Sequence, residues 1–221
     1  MPDFNFELSE KPPIFDNVHG FIHLTDLEWD VVDSRPFQRL RNIKQLGLTN
    51  LVFPGANHTR FSHSIGVLHI ASEIFDSLQY RHRRDRDFVE IDKEVVRLAA
   101  LLHDIGHYPL SHIVEGVIKE HTNNLSIPSP GEIQVDIDEI NPDVERIQNS
   151  ESHKLNCRIH GGGDYANHER IATLVIFNTE ISKILRRNRI SKTKIEKICR
   201  IITGKYPGPE NSFRVRSHSR P

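Results

Sequence analysis

The 221 residues are 37% apolar and 27% charged, with 29 Lys and Arg against 30 Asp and Glu and a formal net charge of -1. This composition excludes an intrinsically disordered chain and a globally basic nucleic-acid-binding field, and the length suffices to bury a real core. Two cysteines without CxxC spacing, Cys157 and Cys199, argue against a disulfide framework or a cysteine zinc site and fit a reducing compartment.

The N-terminal MPDFNFELSEKPP is acidic and has no apolar h-region, so it does not read as a secretory signal. No apolar run approaches the roughly 18 residues of a membrane span. The expected setting is the cytoplasm, or the nucleus if the source is eukaryotic, with no membrane partner. Residues 14 to 24, IFDNVHGFIHL, alternate around a central His-Gly and predict a short β-hairpin-like segment. Thr25 followed by Glu28 has capping-box spacing and opens a helix. Pro36 opens a second run whose Phe37, Leu40, Ile43 and Leu46 recur every three residues, closed by Gly47. VFPGANHT is a loop. From Phe61 a long helix is predicted, with Ile65, Leu68, Ile70, Ile74, Phe75 and Leu78 on one broad apolar face. RHRRDRD is a charged connector. IDKEVVRLAALLHDIGH is helical and stops near Gly106 and Pro109, and SHIVEGVIKEH continues as a further helix. Residues 122 to 165 lose periodicity and read as a long insertion or lid. HERIATLVIFNTEISKILRRN and SKTKIEKICRIITGK restore helical patterning before a polar tail. The class is all-α.

Fourteen histidines is a high count. The densest polar group lies in LAALLHDIGHYPLSH, where His103, Asp104, His107 and His112 follow an apolar run and Glu115 stands one turn on. An unsatisfied cluster of that size inside a core costs several kcal/mol, so a metal ion is the economical reason for it. His63, in RFSHS at the start of the earlier amphipathic helix, is the further imidazole such a site needs. Two imidazoles and a carboxylate form a mixed N/O set with open positions, suited to catalysis.

These stretches resemble the HD-domain phosphohydrolases, and within them the deoxynucleoside triphosphate triphosphohydrolases related to the sterile-alpha-motif and HD-domain protein. The resemblance rests on DNVHGFIHL, DSRPFQRLRNIKQLGLTNLVFPGANHTRFSHSIGV, LLHDIGHYPLSHIVE and NHER, in order and at family spacing. It implies a helical bundle occupying residues 14–204, between an N-terminal tail at 1–13 and a disordered or truncated tail at 205–221. It implies His63, His103 and Asp104 as ligands of a divalent metal (Mn, Fe, Zn, Ni, Co or Mg). It further implies catalytic roles for His112, Glu115 and His168, and substrate contacts for Gln45, Arg60 and His107. His112 is read as the general acid, held by Glu115. Asp33, Gln38 and Arg41 match a regulatory nucleotide site, which implies a nucleotide effector and a homo-oligomer. The implied reaction is hydrolysis of a dNTP to deoxynucleoside and triphosphate. The family's fourth ligand, an Asp in a later motif after an ITG-like helix end, is not matched, and the chain is read as C-terminally truncated. The competing readings are a catalytically impaired HD fold that binds nucleotide or nucleic acid, and an HD phosphohydrolase acting on another phosphoester.

Overall fold

Ile14–Asp16 (β1) pairs antiparallel with Gly20–Ile22 (β2), Phe15 facing Phe21, in a computed structural model of the chain that describes residues 7–82, 92–124 and 167–205. Gly20 has φ of 74°, which glycine adopts without a Cβ clash and which lets the turn close. The hairpin expected from alternation is present. Ser9 donates its backbone N–H to Leu24 O at 2.8 Å, so the tail begins to pack before the hairpin starts.

Asp26–Val32 (α1) carries the expected capping box: Thr25 Oγ1 accepts from Glu28 N at 3.2 Å, and Glu28 Oε2 accepts from Thr25 N at 2.8 Å. Arg35–Gln38 (α2) follows, with Pro36 in its first turn. The long helix read from Pro36 to Gly47 does not form. One 3-10 turn at Arg39–Asn42 ends it, and Ile43 takes an extended backbone. The cause is tertiary pairing: Ile43 O accepts from Arg60 N at 2.8 Å, Gln45 N donates to His58 O at 3.1 Å, and Lys44 bridges to Thr59. Those bonds tie the segment to the loop that leads into the site, and they outweigh helix propensity.

Arg60–His82 (α3) and Lys93–Leu102 (α4) pack side by side, and Lys192–Ile202 packs against α4 as well. The remaining helices are His112–Asn124 (α5), His168–Asn178 (α6) and Glu180–Arg187 (α7), with Lys192–Ile202 as α8. Thr179 splits what the pattern suggested was one helix, capping α7 through its side chain. Val31, Phe37, Leu40, Leu68, Leu98, Leu102, Ile176 and Ile198 belong to a single core. The apolar face expected along α3 is only half used. Ile65 and Leu68 are buried, whereas Ile70, Ile74 and Leu78 are exposed and Phe75 is half-buried. Most of the charged connector, the insertion from 125 onward and the tail after Lys205 lie outside the described residues.

Candidate active site

Helix α4 ends at Leu102, so His103, Asp104 and Ile105 begin a turn rather than a fourth helical turn. His107 therefore does not share a helix face with His103, contrary to the spacing argument. It is delivered by the turn, with its N–H bonded to Asp104 O at 3.1 Å. Gly106 explains how the turn reaches the rest of the site. A Cβ built there would stand 2.1 Å from His168 O and 2.3 Å from Ala172 N, so only glycine lets the turn lie against the start of α6. Leu110 and Ser111 then take φ of 63° and 54°, the left-handed region that side chains disfavour. Ser111 is held there because its Oγ accepts from Arg60 Nε at 2.9 Å.

Two groups of donor atoms result. His63, His103 and Asp104 place one ligand atom each within 4.8 Å of one another. His63 Nε2 is 3.7 Å from Asp104 Oδ2, and His103 Nε2 is 3.2 Å from Oδ1. His103 Nδ1 lies 2.8 Å from Ala100 O, which requires its proton on Nδ1 and leaves the Nε2 lone pair facing inward. An anionic carboxylate, a pre-set imidazole tautomer and a second imidazole suit a divalent cation, so the residues fit the implied metal. Burial pushes the Asp104 carboxyl upward. The hydrogen bond from His107 and the charges of His103 and Arg60 overcome that and hold it well below the usual range. Burial keeps His63 below its usual value, as a ligand imidazole must be neutral.

The second group is His107, His112, Glu115 and His168, also within 4.8 Å. Glu115 Oε2 is 2.9 Å from His112 Nδ1, and Oε1 is 2.9 Å from His168 Nδ1 and 3.3 Å from His107 Nδ1. The rings of His107 and His168 stack 3.8 Å apart. His107 joins the two groups, since its Nε2 lies 3.3 Å from Asp104 Oδ1. Its Nδ1 and Glu115 Oε1 are buried without a well-formed hydrogen bond. Glu115 sits below the usual carboxylate range: burial opposes ionisation, while the hydrogen bond with His112 and the nearby charges of His168 and His107 favour it. Only His112 among the four is largely exposed.

A search for related proteins matches residues 60–156 to the HD domain. The chain thus carries a match to the HD domain, which supports the resemblance to the HD-domain phosphohydrolases. The matched range contains the adjacent pair His103–Asp104, with α3 carrying His63 and α4 leading into the pair. An uncharacterized protein of Methanocaldococcus jannaschii, MJ1154, is 50% identical over 102 residues, 46% of this chain and 20% of that one. The Dictyostelium discoideum deoxynucleoside triphosphate triphosphohydrolase SAMHD1 homolog is 41% identical over 118 residues, 53% of this chain and 23% of that one. The crystal structure of a hypothetical protein from Aquifex aeolicus superposes with a TM-score of 0.56 at 32% identity, covering 91% of this chain and 39% of that one. The chain thus spans only 20 to 23% of the length of these two curated relatives.

Arg60 is not a free phosphate fork within the HD site. It is 2% exposed, and its Nη1 donates to Asp104 Oδ2 at 2.6 Å. Gln45 lies nearby in chain, tethered through its N–H to His58 O, with its Oε1 buried and unsatisfied. Asp33 caps α1, and Gln38 donates to Val32 O at 2.8 Å and accepts from Arg41 Nε at 2.7 Å. Arg41 lies 3.6 Å from the centre of the Phe61 ring, next to Arg60. Sequence reasoning missed Arg39 and Ser111, which hold the site's backbone and its arginine. Arg39 stood inside the quoted QRLR stretch, and Ser111 in the SH doublet before α5.

Proposed function

We propose that the HD site hydrolyses deoxynucleoside triphosphates, releasing deoxynucleoside and triphosphate. The observation that carries this reading is an exposed His112, fixed by buried Glu115, beside an inward-facing His63–His103–Asp104 set. The printed names of relatives as deoxynucleoside triphosphate triphosphohydrolases supply the substrate class. A divalent cation held by His63, His103 and Asp104 would supply charge neutralisation at the phosphoryl group. The rest falls to this chain's own side chains. Glu115 Oε2 orients His112 through Nδ1, leaving Nε2 directed away from the carboxylate to deliver a proton to the leaving oxygen. Such positioned general-acid catalysis contributes roughly 10²–10⁴ in rate. His168, whose Nδ1 rests on Glu115 and whose ring is partly exposed, is assigned to the phosphate chain, while buried His107 sits behind it between Asp104 and Glu115. The unsatisfied Gln45 Oε1 needs a donor, which a sugar hydroxyl or a base amine would provide. We assign exposed Asp33 and Arg41, the latter bonded to half-buried Gln38, to a nucleotide effector, with assembly into a homo-oligomer.

The test is the purified chain loaded with manganese or iron and offered each dNTP, with release of intact triphosphate followed. His103→Ala and Asp104→Ala should lose metal and turnover together, whereas His112→Ala should keep the metal and lose at least a hundredfold in kcat, the order of one general acid. Release of inorganic phosphate alone, or action only on other phosphoesters, moves the assignment elsewhere in the superfamily. Salt-sensitive binding of single strands without hydrolysis moves it to a binding protein.

A further inference from the structure

We propose that Arg39 is a positioning residue of the HD site, acting by clamping the backbone that carries His107. The inference deepens the reading above, and it starts from a gap in the hydrogen bonding of the turn after α4. In a continuing helix, Ile105 O would accept from residue 109 and His107 O from residue 111. Residue 109 is a proline and has no N–H to give. The N–H of Ser111 is already bonded to Tyr108 O at 3.0 Å. Both carbonyls are therefore without a helical partner.

One guanidinium fills both places. Arg39 Nη1 donates to His107 O at 2.7 Å, and Nη2 donates to Ile105 O at 2.6 Å. A planar fork fixes the separation and direction of two acceptors at once, which a lysine ammonium on a flexible stem does not. The acceptors flank Gly106, whose bare Cα is pressed on the other side against the backbone of His168 and Ala172. The turn is thus gripped from two sides.

The grip matters because the His107 side chain is hydrogen-bonded at one ring nitrogen only. It is 1% exposed, its Nδ1 makes no well-formed hydrogen bond, and its two ring nitrogens each stand 3.3 Å from a carboxylate oxygen, Asp104 on one side and Glu115 on the other. Its placement between the two donor groups follows from where the backbone puts it. Arg39 itself is an exposed residue outside the packed core. Replacing it removes the clamp and little else.

The experiment uses the full chain with Arg39→Lys and Arg39→Met, zinc-loaded so that ring nitrogens can be followed by 15N NMR. The expected result is displaced His107 ring resonances in both variants, larger in the methionine one, with zinc content and far-UV circular dichroism as in the parent. Turnover of the best dNTP should fall about tenfold to a hundredfold in kcat, the scale of an ångström-sized misplacement, with KM changed by less than about threefold. The lysine variant should recover part of the loss. His107 resonances that stay at their parental positions overturn the proposal, as does displacement accompanied by unchanged kcat in an active protein. If the parent hydrolyses no dNTP, the functional reading fails by itself, and the NMR shifts alone decide the clamp. If the methionine variant does not fold, the lysine variant carries the same readouts.

Discussion

Gly106 shows how one residue without a side chain sets the site. The neighbours of a Cβ at that position are backbone atoms, including Ile171 C at 2.8 Å besides those of His168 and Ala172. Backbone cannot rotate away as a side-chain tip can. Gly106→Ala should therefore cost at least the ~1–3 kcal/mol of an overpacked core position, and separate the turn from α6. Urea unfolding should show a lower midpoint at an unchanged slope, and His168 should lose its place beside Glu115. A midpoint within error of the parent would mean that α6 can shift freely, so that Gly106 is not what seats it. Asp104 illustrates the opposite economy. It is 3% exposed and already serves Arg60, His103 and His107. The carboxylate that would hold a cation is also the hub of the local ion pairs.

At the scale of elements, α1 and α4 are joined by a buried bidentate pair. Arg97 Nε and Nη2 each lie 2.7 Å from an oxygen of Glu28, whose own Oε2 also closes the capping box, and Nη2 reaches His23 O at 3.1 Å. Both side chains are nearly sealed from solvent, so removing one takes the bidentate partner from a buried charge. Glu28→Leu should destabilise by about 3–5 kcal/mol, whereas Glu28→Leu with Arg97→Met should cost clearly less than the sum of the singles. Additive losses in chemical denaturation would show the pair to be energetically idle. These elements also show what periodicity can and cannot disclose. The capping box, the hairpin, and the helices around His103 and His63 were legible because local chemistry and local structure agree. The segment from Arg39 to Gly47 was not, because its hydrogen bonds go to residues 58 and 60, which pattern alone does not pair. The outer half of α3 misled for a related reason: its apolar spacing is regular, yet nothing in that spacing says which turns are covered. The three proposed ligands were legible because four polar groups within ten residues after VVRLAALL have few bland explanations, and a site there needs the further imidazole that RFSHS offers. Arg39 was illegible because its partners are carbonyls, which carry no side-chain signature.

For the molecule as a whole, the site's charges set how stability responds to pH. Burial lowers His63 and His107 from the ordinary 6.5. Asp104 and Glu115 are held below their ordinary 3.8 and 4.5, against burial, by their histidine partners and, for Asp104, by Arg60. In every case the folded chain takes up its proton at lower pH than the unfolded chain, so the unfolded state binds more protons in between and stability rises with pH. The histidine contribution is complete above about pH 6.5 and is lost as pH falls through the folded values; the carboxylate contribution is complete above about 4.5 and is lost further into acid. The metal-free chain should therefore melt at progressively lower temperature between pH 7.5 and 5, with a further fall below about 4.5. A cation that needs neutral imidazoles and an ionised carboxylate adds stability by mass action, and does so only where those forms are populated. Added zinc or manganese should raise the melting temperature more at pH 7.5 than at pH 5.5. Calorimetry across that range decides it: a metal-free melting temperature that is flat or climbs on acidification would mean that His63 and His107 are not held neutral by the fold, and the inward-facing donor set would lose its physical basis.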